Sequence, residues 1–460
     1  MTETVKIVSP IDGRTYAERP LASGAEIEAA VARARQARAL WREVTVMERA
    51  RHLEHFLYAL LAQNDEIVPE LAWQMGRPVR YGGEARGVEE RTRHMLDIAE
   101  PALAPIEKPG KDGFRRWIAR EPVGTVMVIA PWNYPYLTAV NSIVPALMAG
   151  NAVILKHASQ TLLAGERFAA AMKAAGLPDG LFQTLVLSHG DTEKLISSGA
   201  IDHVNFTGSV EGGRRIERAA AGTFATLGLE LGGKDPAYVR PDAVVEQAVE
   251  GLVDGSFFNS GQSCCGVERI YVHADVYDRF VDGFVAAARG WTLGNPLDPE
   301  TVVGPMATGR FADHVRGQTL EALRKGAKAH LNTRHDLDEE SSPYLAPEVL
   351  TAVNHQMAVM REESFGPVVG IMKVADDDEA VTLMNDSPYG LTASIWTADL
   401  DAAASLGSQI ETGTVFANRC DYLDPALVWT GVKDTGKGGA LSEIGYANLT
   451  QPKSYHLKEV

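Results

Sequence analysis

Cysteine is scarce in this sequence, and its scarcity excludes two kinds of protein. The 460 residues contain only Cys264, Cys265 and Cys420. Three cysteines are too few for a disulfide scaffold, and they lack the paired spacing that a zinc site needs. We therefore expect reduced thiols, no metal site and a cytoplasmic location.

Positive charge is also in short supply. Lysine and arginine number 44 against 60 aspartates and glutamates, which gives a formal net charge of -16 at pH 7. A molecule of this charge is repelled as a whole by nucleic acid and by anionic membrane surfaces, so we expect neither as a partner. The first residues lack a basic segment followed by an apolar run, so we expect no secretory signal.

One long segment, 122–155, has no charged residue at all. It is long enough to span a bilayer, but Pro131, Pro135 and Pro145 interrupt it. The hydrophobic content of 45% and the charged content of 23% are ordinary for a soluble enzyme, so this segment predicts buried strands and a helix. The length of the chain predicts two or three domains.

The order of strands and helices predicts an α/β fold. Residues 123–130 are uncharged, rich in β-branched side chains and followed by a proline, as in a buried parallel strand. Ser23 and Glu26 have the spacing of a capping box in front of a helix. Further strands are expected at 151–155, 182–186, 203–207, 368–372 and 394–396, and further helices at 47–61, 163–175 and 276–289. This alternation predicts a doubly wound sheet.

Two segments near the end of the chain have simpler predictions. Residues 431–439 are rich in glycine and lysine, and we expect them to form a turn. Residues 452–457 alternate apolar and polar side chains, which predicts an exposed edge strand. An edge strand at this place often pairs with another subunit.

A carboxylate and a thiol, each close to glycine, are the first sign of chemistry. Glu230 precedes Leu-Gly-Gly-Lys, and Cys264 follows Ser-Gly-Gln-Ser. A thiolate adds to a carbonyl carbon, and a nearby carboxylate can activate the water that releases the bound acyl group. Cysteine is also a common inert core residue, so the pair alone leaves many covalent chemistries open.

Nucleotide binding is suggested by two further features, each of which has a simpler alternative. Residues 206–213 follow a predicted strand and open a helix, where backbone amides can hold a pyrophosphate. Their glycine spacing differs from the usual dinucleotide fingerprint, so a plain tight turn fits as well. Lys156 ends another strand, where ligands lie in such sheets, although a solvated lysine is the alternative.

Seven motifs together resemble the aldehyde dehydrogenase superfamily, in the order and at the spacings of that family over nearly the whole chain. They are 130–135 (Ala-Pro-Trp-Asn-Tyr-Pro), Lys156, 206–209 (Phe-Thr-Gly-Ser), 230–234 (Glu-Leu-Gly-Gly-Lys), 261–264 (Gly-Gln-Ser-Cys), 362–367 (Glu-Glu-Ser-Phe-Gly-Pro) and 385–391 (Asn-Asp-Ser-Pro-Tyr-Gly-Leu). The resemblance implies a Rossmann-like doubly wound nucleotide-binding domain, an α/β catalytic domain and a small β oligomerisation element.

The resemblance also implies a reaction, the oxidation of an aldehyde to a carboxylic acid with NAD or NADP. Cys264 would attack the aldehyde, and the side-chain amide of Asn133 would stabilise the oxyanion of the thiohemiacetal together with the backbone N–H of Cys264. Loss of hydride to the nicotinamide would leave a thioester, and Glu230 would activate water to hydrolyse it. The branch of the family that transfers the acyl group to coenzyme A generally lacks this glutamate.

By the same resemblance, further residues surround the cofactor and the substrate. The residues expected at the cofactor are Lys156, Ser159, Gly208, Ser209, Glu363, Phe365 and Trp132. The residues expected in the substrate funnel are Tyr134, Thr138, Asn141, Ser263, Asp421, Leu423 and Trp429. No arginine or lysine stands among the funnel positions, which argues against a substrate with a carboxylate. Cys265 is expected to pack with its side chain turned away from the reacting centre, and Cys420 to lie near the entrance.

One departure from the family pattern concerns the nucleotide. Many members that prefer NAD carry a glutamate three residues after the lysine, where this chain has Ser159. Without that carboxylate a 2′-phosphate is not repelled, so we expect NADP to be accepted. His157 replaces the usual proline and is expected to be partly exposed, where it could pair with the phosphate.

A second departure concerns the proton of Glu230. Ser142 and Ala440 stand where many hydrolytic members carry a lysine and a glutamate. We therefore expect Glu230 to lose its proton by another route, through water or through Glu443.

The resemblance implies an architecture and an assembly. The expected nucleotide-binding domain comprises 1–102 and 122–231, the catalytic domain 232–433, and the oligomerisation element 103–121 and 446–460. A homodimer or a homotetramer is expected. Two alternatives stay open: an esterase that uses the cysteine without a nucleotide, and a non-catalytic relative that kept the fold as a structural component.

Overall fold

The structure of the chain is a computed structural model, which describes residues 3–331 and 341–459. The strands are β1 (Thr4–Val8), β2 (Thr15–Pro20), β3 (Ile106–Glu107), β4 (Phe114–Pro122), β5 (Thr125–Ala130), β6 (Ala152–His157), β7 (Phe182–Thr184), β8 (His203–Thr207), β9 (Thr226–Glu230), β10 (Asp235–Val239), β11 (Val267–His273), β12 (Lys328–Ala329), β13 (Glu348–Thr351), β14 (Val368–Val374), β15 (Tyr389–Gly390), β16 (Thr392–Trp396), β17 (Thr414–Ala417), β18 (Val432–Lys433), β19 (Gly436–Lys437) and β20 (Thr450–Lys458).

The helices alternate with these strands through most of the chain. They are α1 (Gly24–Trp41), α2 (Val46–Leu61), α3 (Asn64–Met75), α4 (Ala85–Asp97), α5 (Ala99–Leu103), α6 (Leu137–Met148), α7 (Leu163–Ala174), α8 (His189–Ser197), α9 (Val210–Ala220), α10 (Val245–Phe257), α11 (Tyr277–Ala288), α12 (Gly309–Arg324), α13 (Ala358–Arg361), α14 (Asp377–Asn385), α15 (Leu400–Gly407) and α16 (Ser442–Asn448). Single 3-10 turns lie at Val79–Tyr81, Ser159–Thr161 and Phe258–Gly261.

A six-stranded sheet in the order β19-β9-β8-β5-β6-β7 organises the first half of the chain. Strands β5 to β9 are all parallel. The chain runs outward from β5 through β6 to β7, then returns to continue on the other side with β8 and β9. This reversal confirms the predicted doubly wound sheet, and it opens a crevice at the carboxyl ends of β5 and β8.

Helix α1 shows how the sequence pattern becomes packing around this sheet. Ser23 accepts a hydrogen bond from the backbone N–H of Glu26, whose carboxylate accepts from the N–H of Ser23, so the predicted capping box is confirmed. The indole N–H of Trp41 donates to the carbonyl oxygen of Leu147 at 2.8 Å. The helix is thereby fixed against α6, which occupies the middle of the uncharged segment.

The uncharged segment 122–155 forms β5, α6 and most of β6, as predicted. Nearly every side chain from Thr125 to Leu155 is buried. Within residues 3–331 and 341–459, no helix is both long and apolar enough to cross a membrane.

A seven-stranded sheet in the order β12-β13-β14-β11-β10-β16-β17 organises the second half. Its strands are parallel except for β12 at one edge. Side chains alternate between two apolar clusters on its two faces, with Tyr238 and Tyr271 in one cluster and Val239 and Val272 in the other. Both faces are buried, which explains the apolar runs in these strands.

The end of the chain confirms one prediction and adds to another. Strand β20 pairs antiparallel with β4 along its whole length and is the edge of a three-stranded sheet, as predicted. Residues 431–439 contain the predicted turn, but it lies between two short strands that the sequence did not indicate, β18 and β19, and β19 pairs with β9. The backbone of Gly436 approaches β9 so closely that an added Cβ would lie 2.1 Å from the carbonyl oxygen of Leu229. Such a two-residue strand has no alternating side chains that a pattern could reveal.

A buried ion pair connects the two large sheets. Lys234 lies between β9 and β10, and its Nζ is 2.5 Å from the carboxylate of Glu268 on β11 and 2.9 Å from the hydroxyl of Ser364. Glu268 also accepts hydrogen bonds from the backbone N–H groups of Ser364 and Phe365 at 2.7 Å and 2.8 Å. The pair thus fixes the segment around Phe365 to the connection between the sheets.

Replacement of Lys234 by methionine is expected to destabilise the protein strongly. The change leaves the carboxylate of Glu268 buried without its cation, which costs about 3–5 kcal/mol and should lower Tm by roughly 5–10 °C at a fixed scan rate. The double variant K234M/E268L should recover most of that loss. Lys6→Met, which breaks an exposed pair with Glu18, is the control and should change Tm by no more than about 1 °C. An equal effect of both lysine substitutions would contradict this account.

Candidate active site

A cavity of ≈ 1450 Å³ opens at the carboxyl ends of the strands in the six-stranded sheet. The predicted catalytic, cofactor and substrate residues all lie in its lining: Cys264, Glu230, Asn133, Lys156, Ser159, Gly208, Ser209, Glu363, Phe365, Trp132, Tyr134, Thr138, Asn141, Ser263, Asp421, Leu423 and Trp429. They come from the ends of β6 and β9, from the segments that follow β5, β6 and β8, from α6, from the segments before β11 and β14, and from the segment between β17 and β18. Strand order therefore brings together residues that are distant in sequence.

Cys264 lies at the start of the segment that leads into β11, and its position is set by unusual backbone conformations. Asn259 and Ser260 have φ angles of +53° and +60°, which residues other than glycine rarely adopt. Gly233 packs against this segment, and a Cβ there would lie 2.6 Å from the carbonyl oxygen of Cys264. Cys264 is half-buried, so its thiol is accessible from the cavity.

Cys265 is closer to the reacting centre than the sequence suggested. Residues 263–266 form a turn, closed by the N–H of Gly266 on the carbonyl oxygen of Ser263 at 3.2 Å, so neighbouring side chains do not alternate as they do in a strand. The hydrogen bond with the Cys264 thiol, together with burial, raises the pKa of Cys265 well above its usual range. The Cys265 thiol also contacts Asp421 Oδ1 at 2.9 Å. The prediction that Cys265 points away is therefore wrong.

Asn133 is held by its backbone and by part of its side chain. Its Nδ2 donates to the carbonyl oxygen of Gln262 at 3.1 Å, two residues before Cys264. This contact uses one N–H and leaves the second N–H of Nδ2 for a ligand in the cavity. The carbonyl oxygen of Asn133 accepts from Arg77 Nη2 at 2.5 Å and from Asn259 Nδ2 at 3.3 Å.

Arg77 and Glu84 form the support of Asn133, and no sequence motif pointed to them. Their buried side chains are joined by an ion pair of 2.5 Å. Glu84 also accepts from the backbone N–H groups of Tyr136 and Leu137 at the start of α6, at 3.0 Å and 2.7 Å. The guanidinium of Arg77 lies 4.8 Å from the ring centre of Tyr134. These contacts fix the segment that carries Asn133 from three directions.

Glu230 ends β9 with its carboxylate in the cavity lining. Burial raises its pKa to about 7, although a hydrogen bond from the Thr207 hydroxyl at 3.1 Å and the charge of Arg91 act in the opposite direction. A carboxylate with this pKa exchanges protons near neutral pH, which suits a general base. Glu443, the predicted proton acceptor, is exposed on α16 and does not line the cavity, so the structure does not support a route through it.

The nucleotide side of the cavity has features that fit a dinucleotide. Ser209 caps α9 by accepting from the N–H of Gly212 at 3.2 Å, so the first turn of that helix faces the lining at Gly208 and Ser209. Lys156 is buried near the end of β6, its ammonium group donates no hydrogen bond to any described residue, and burial lowers its pKa. A buried ammonium group without a protein partner fits an anionic or hydroxyl-bearing ligand.

Glu363 and Phe365 face this region from the other sheet. Glu363 accepts from the N–H of Gly233 at 3.0 Å, and burial raises its pKa to about 8. The ring of Phe365 packs edge-on against Trp132 at 5.6 Å between centres, and Phe311 stacks on Trp132 at 5.2 Å. Phe311 comes from α12, and no motif in the sequence marked it as part of the site.

The prediction for His157 is wrong. Its side chain is buried, and its ring nitrogens contact the carbonyl oxygen of Pro135 at 3.1 Å and the hydroxyl of Thr161 at 3.3 Å. Burial lowers its pKa to about 4, so the ring is neutral at pH 7 and does not supply a charge for a phosphate. As the last residue of β6, it packs beneath the segment that carries Asn133.

None of the predicted funnel residues is an arginine or a lysine, but the structure adds arginines from other positions to the cavity lining. Arg91 is buried in the lining beside Asn141, and the exposed Arg86 and Arg419 line the cavity as well. Arg91 lies on the same face of α4 as the buried Val88 and Met95. An arginine on an apolar helix face was the signal in the sequence that could have indicated it.

The model of the aldehyde dehydrogenase family matches residues 1–455. The chain belongs to the aldehyde dehydrogenase family. An aldehyde dehydrogenase of Paenarthrobacter nicotinovorans is 36% identical over 98% of this chain and 99% of the relative. The succinate-semialdehyde dehydrogenase [NADP(+)] 1 of Mycobacterium tuberculosis H37Rv is 34% identical over 98% of this chain and 99% of the relative.

The fold is also similar to that of a solved structure from the same family. The NADP-dependent glyceraldehyde-3-phosphate dehydrogenase from Bacillus halodurans C-125, complexed with NADP, has a TM-score of 0.93 and 31% identity, and the alignment covers 100% of this chain and 96% of that one. The predicted α/β fold class and the predicted family are confirmed. This protein oxidises aldehydes with NAD or NADP.

Proposed function

We propose that Cys264, Asn133 and Glu230 carry out the oxidation. The Cys264 thiolate adds to the aldehyde carbon and forms a C–S bond, while the free N–H of Asn133 stabilises the resulting oxyanion. NAD or NADP, when bound, accepts the hydride that leaves that carbon. Glu230 then takes a proton from water, which attacks the thioester and breaks the C–S bond to release the carboxylic acid and the thiolate.

One observation carries this proposal. The accessible thiol of Cys264, the unused amide N–H of Asn133 and a buried carboxylate that titrates near neutral pH line the same cavity. An esterase would need the thiol and the carboxylate but would not explain Lys156, whose ammonium group has no partner in the part of the chain that the structure describes. A structural role explains none of these groups.

Substitutions at Cys264 and Glu230 test the roles directly. Cys264→Ala should lower nucleotide reduction by about a thousandfold or more, because no acyl intermediate can form. Glu230→Gln should give a burst of reduced nucleotide, followed by turnover that is roughly a hundredfold to ten-thousandfold slower. Cys420→Ala, a thiol outside the cavity, is the control and should retain activity. Ester hydrolysis without nucleotide as the main activity would support the esterase instead, and no activity with any aldehyde would support a structural protein.

The pKa of Glu230 predicts how hydrolysis of the thioester depends on pH. The carboxylate form is the base, so the hydrolysis rate should rise as the pH passes about 7. Thr207→Val removes a hydrogen bond that stabilises the carboxylate, so the pKa should rise and the rate curve should move to higher pH by on the order of one unit. Single-turnover rates against pH measure the shift. Thr223→Val, distant from the cavity lining, should leave the curve unchanged, and identical curves for all three proteins would contradict the assignment.

We propose that NADP is accepted because Ser159 is smaller than glutamate and has no negative charge that would repel the 2′-phosphate. Ser159 lines the cavity just after β6, and the buried Lys156 and the exposed His189 line the same cavity. The mycobacterial relative and the Bacillus halodurans enzyme are both named as NADP-dependent, which supports the proposal.

Ser159→Glu should selectively weaken the use of NADP. The carboxylate would repel the 2′-phosphate, so kcat/KM with NADP should fall roughly tenfold to a hundredfold while kcat/KM with NAD changes little. Ser159→Gln has the same shape without the charge and should retain most of the activity with NADP. NADPH binding, measured by fluorescence, should follow the same order. Wild-type protein that uses only NAD would refute the proposal.

We also propose the assembly, the domain boundaries and the location that the sequence suggested. The nucleotide-binding domain would comprise 1–102 and 122–231, the catalytic domain 232–433, and the oligomerisation element 103–121 and 446–460. The exposed edge strand β20 supports a homodimer or a homotetramer. The reduced thiols support a cytoplasmic location. Succinate semialdehyde, the substrate in the name of the mycobacterial relative, is proposed as the first aldehyde to assay.

A further inference from the structure

Arg91 is a buried cation whose hydrogen-bonding capacity is only partly used. Its Nη1 donates to the carbonyl oxygen of Leu137 at 3.1 Å and to Asn141 Oδ1 at 3.3 Å. Its Nε and Nη2 have no hydrogen-bond partner in the described part of the chain. Neither atom is completely buried. Because Arg91 lines the cavity, a ligand bound there can contact its side chain.

No carboxylate among residues 3–331 and 341–459 forms an ion pair with Arg91. The acidic groups that interact electrostatically with Arg91 each accept a hydrogen bond from another residue. They are Glu230 with Thr207, Asp421 with Ser263 and Cys265, Glu90 with Tyr422, and Glu84 with Arg77. Arg91 is 9% exposed and has no carboxylate partner among the described residues, which is rare for a buried arginine in a folded protein.

We propose that Arg91 binds a carboxylate at the far end of the substrate, so that the substrate class is an aldehyde that also carries a carboxylate. The Nε and Nη2 edge of a guanidinium matches the two oxygens of a carboxylate, and such paired hydrogen bonds are the strong ones. The ligand would supply the charge that the protein leaves out. This inference rests on the proposed function, and it adds the residue that selects the substrate.

The position of Arg91 suits this role. It contacts Asn141 in the predicted substrate funnel, and its charge reaches Glu230 and Cys265 next to the proposed nucleophile. A short substrate could therefore contact Arg91 and Cys264 together. At the surface, Arg86 and Arg419 line the same cavity and form no ion pair with the described residues. Glu90 and Asp254 also line the cavity, so its entrance carries charges of both signs, and the two arginines give an anionic substrate local positive charge in a molecule that is negative overall.

A purely structural role for Arg91 makes a different prediction. Its bonds to Leu137 and Asn141 connect α4 to α6, and loss of that connection would impair every substrate alike. Loss of a carboxylate anchor would impair only substrates that carry a carboxylate. A pair of aldehydes with the same carbon count separates these roles: succinate semialdehyde, which has the carboxylate, and butanal, which has a methyl group in its place.

The test uses Arg91→Met, with Arg93→Met as the matched control. Arg93 lies on the same helix, forms exposed ion pairs with Glu89 and Glu54, and is outside the cavity. We expect R91M to lower kcat/KM for succinate semialdehyde by about a hundredfold or more, mainly through KM, because a buried charged contact is lost. Its kcat/KM for butanal should stay within about threefold, and R93M should resemble wild type for both aldehydes. Arg91→Lys, which keeps the charge, should recover part of the loss.

Three results would overturn the inference. The first is an equal loss of activity with both aldehydes in R91M, which would make Arg91 a connection between helices. The second is unchanged use of succinate semialdehyde by R91M, and the third is a wild-type enzyme that prefers butanal. Turnover of butanal that still depends on Cys264 would keep the proposed function intact in each of these cases. Absence of nucleotide reduction with either aldehyde in wild type would overturn the proposed function itself.

Discussion

The ion pair between Lys234 and Glu268 is the constraint on which the site depends most. Lys234 lies four residues after Glu230, and Glu268 holds the backbone of Ser364 and Phe365. A single buried contact thus couples the proposed general base on one sheet to the aromatic wall of the nucleotide region on the other. Each oxygen and the ammonium group have further partners, so the desolvation of both charges is offset by hydrogen bonds as well as by their attraction. The two sheets are consequently held in one relative position at the point where the chemistry takes place.

Glu230 and Arg91, two other charged groups of the site, do not form an ion pair with each other. Glu230 has Thr207 as its donor and Arg91 has no acidic partner, although each feels the charge of the other. A direct ion pair between them would hold Glu230 as a permanent carboxylate with a low pKa and would occupy the guanidinium. Separation leaves the base with a pKa of about 7 and leaves Arg91 able to bind a ligand. Burial sets both properties, and the absence of a close pair preserves them.

The sequence predicted most of the fold and the lining of the cavity, for a physical reason. Residues at the carboxyl ends of parallel strands meet at one edge, so motifs after β5, β6, β8 and β9 had to converge once the doubly wound order was recognised. Side-chain direction was harder, because it depends on turns and on contacts across the chain. Cys265 lies in a turn, not in an extended segment, and His157 faces the underside of another loop. Arg77 and Phe311 reach the site from elements that carry no motif, and only the tertiary structure places them there.

The replacement of a family lysine by Ser142 is easier to understand in space than in sequence. The predicted consequence was a missing charge beside Glu230, and the structure supplies a positive charge from α4 in the form of Arg91. Arg91 contacts Asn141, the neighbour of Ser142, and its charge lowers the pKa of Glu230. A charge can move from one helix to another while its effect on the pKa of Glu230 keeps the same sign, because Coulomb attraction depends on distance and not on chain order. An arginine presents its N–H groups in a planar fork, so the Nε and Nη2 edge, which has no partner among the described residues, can form two parallel hydrogen bonds with a carboxylate, a geometry that a lysine does not offer.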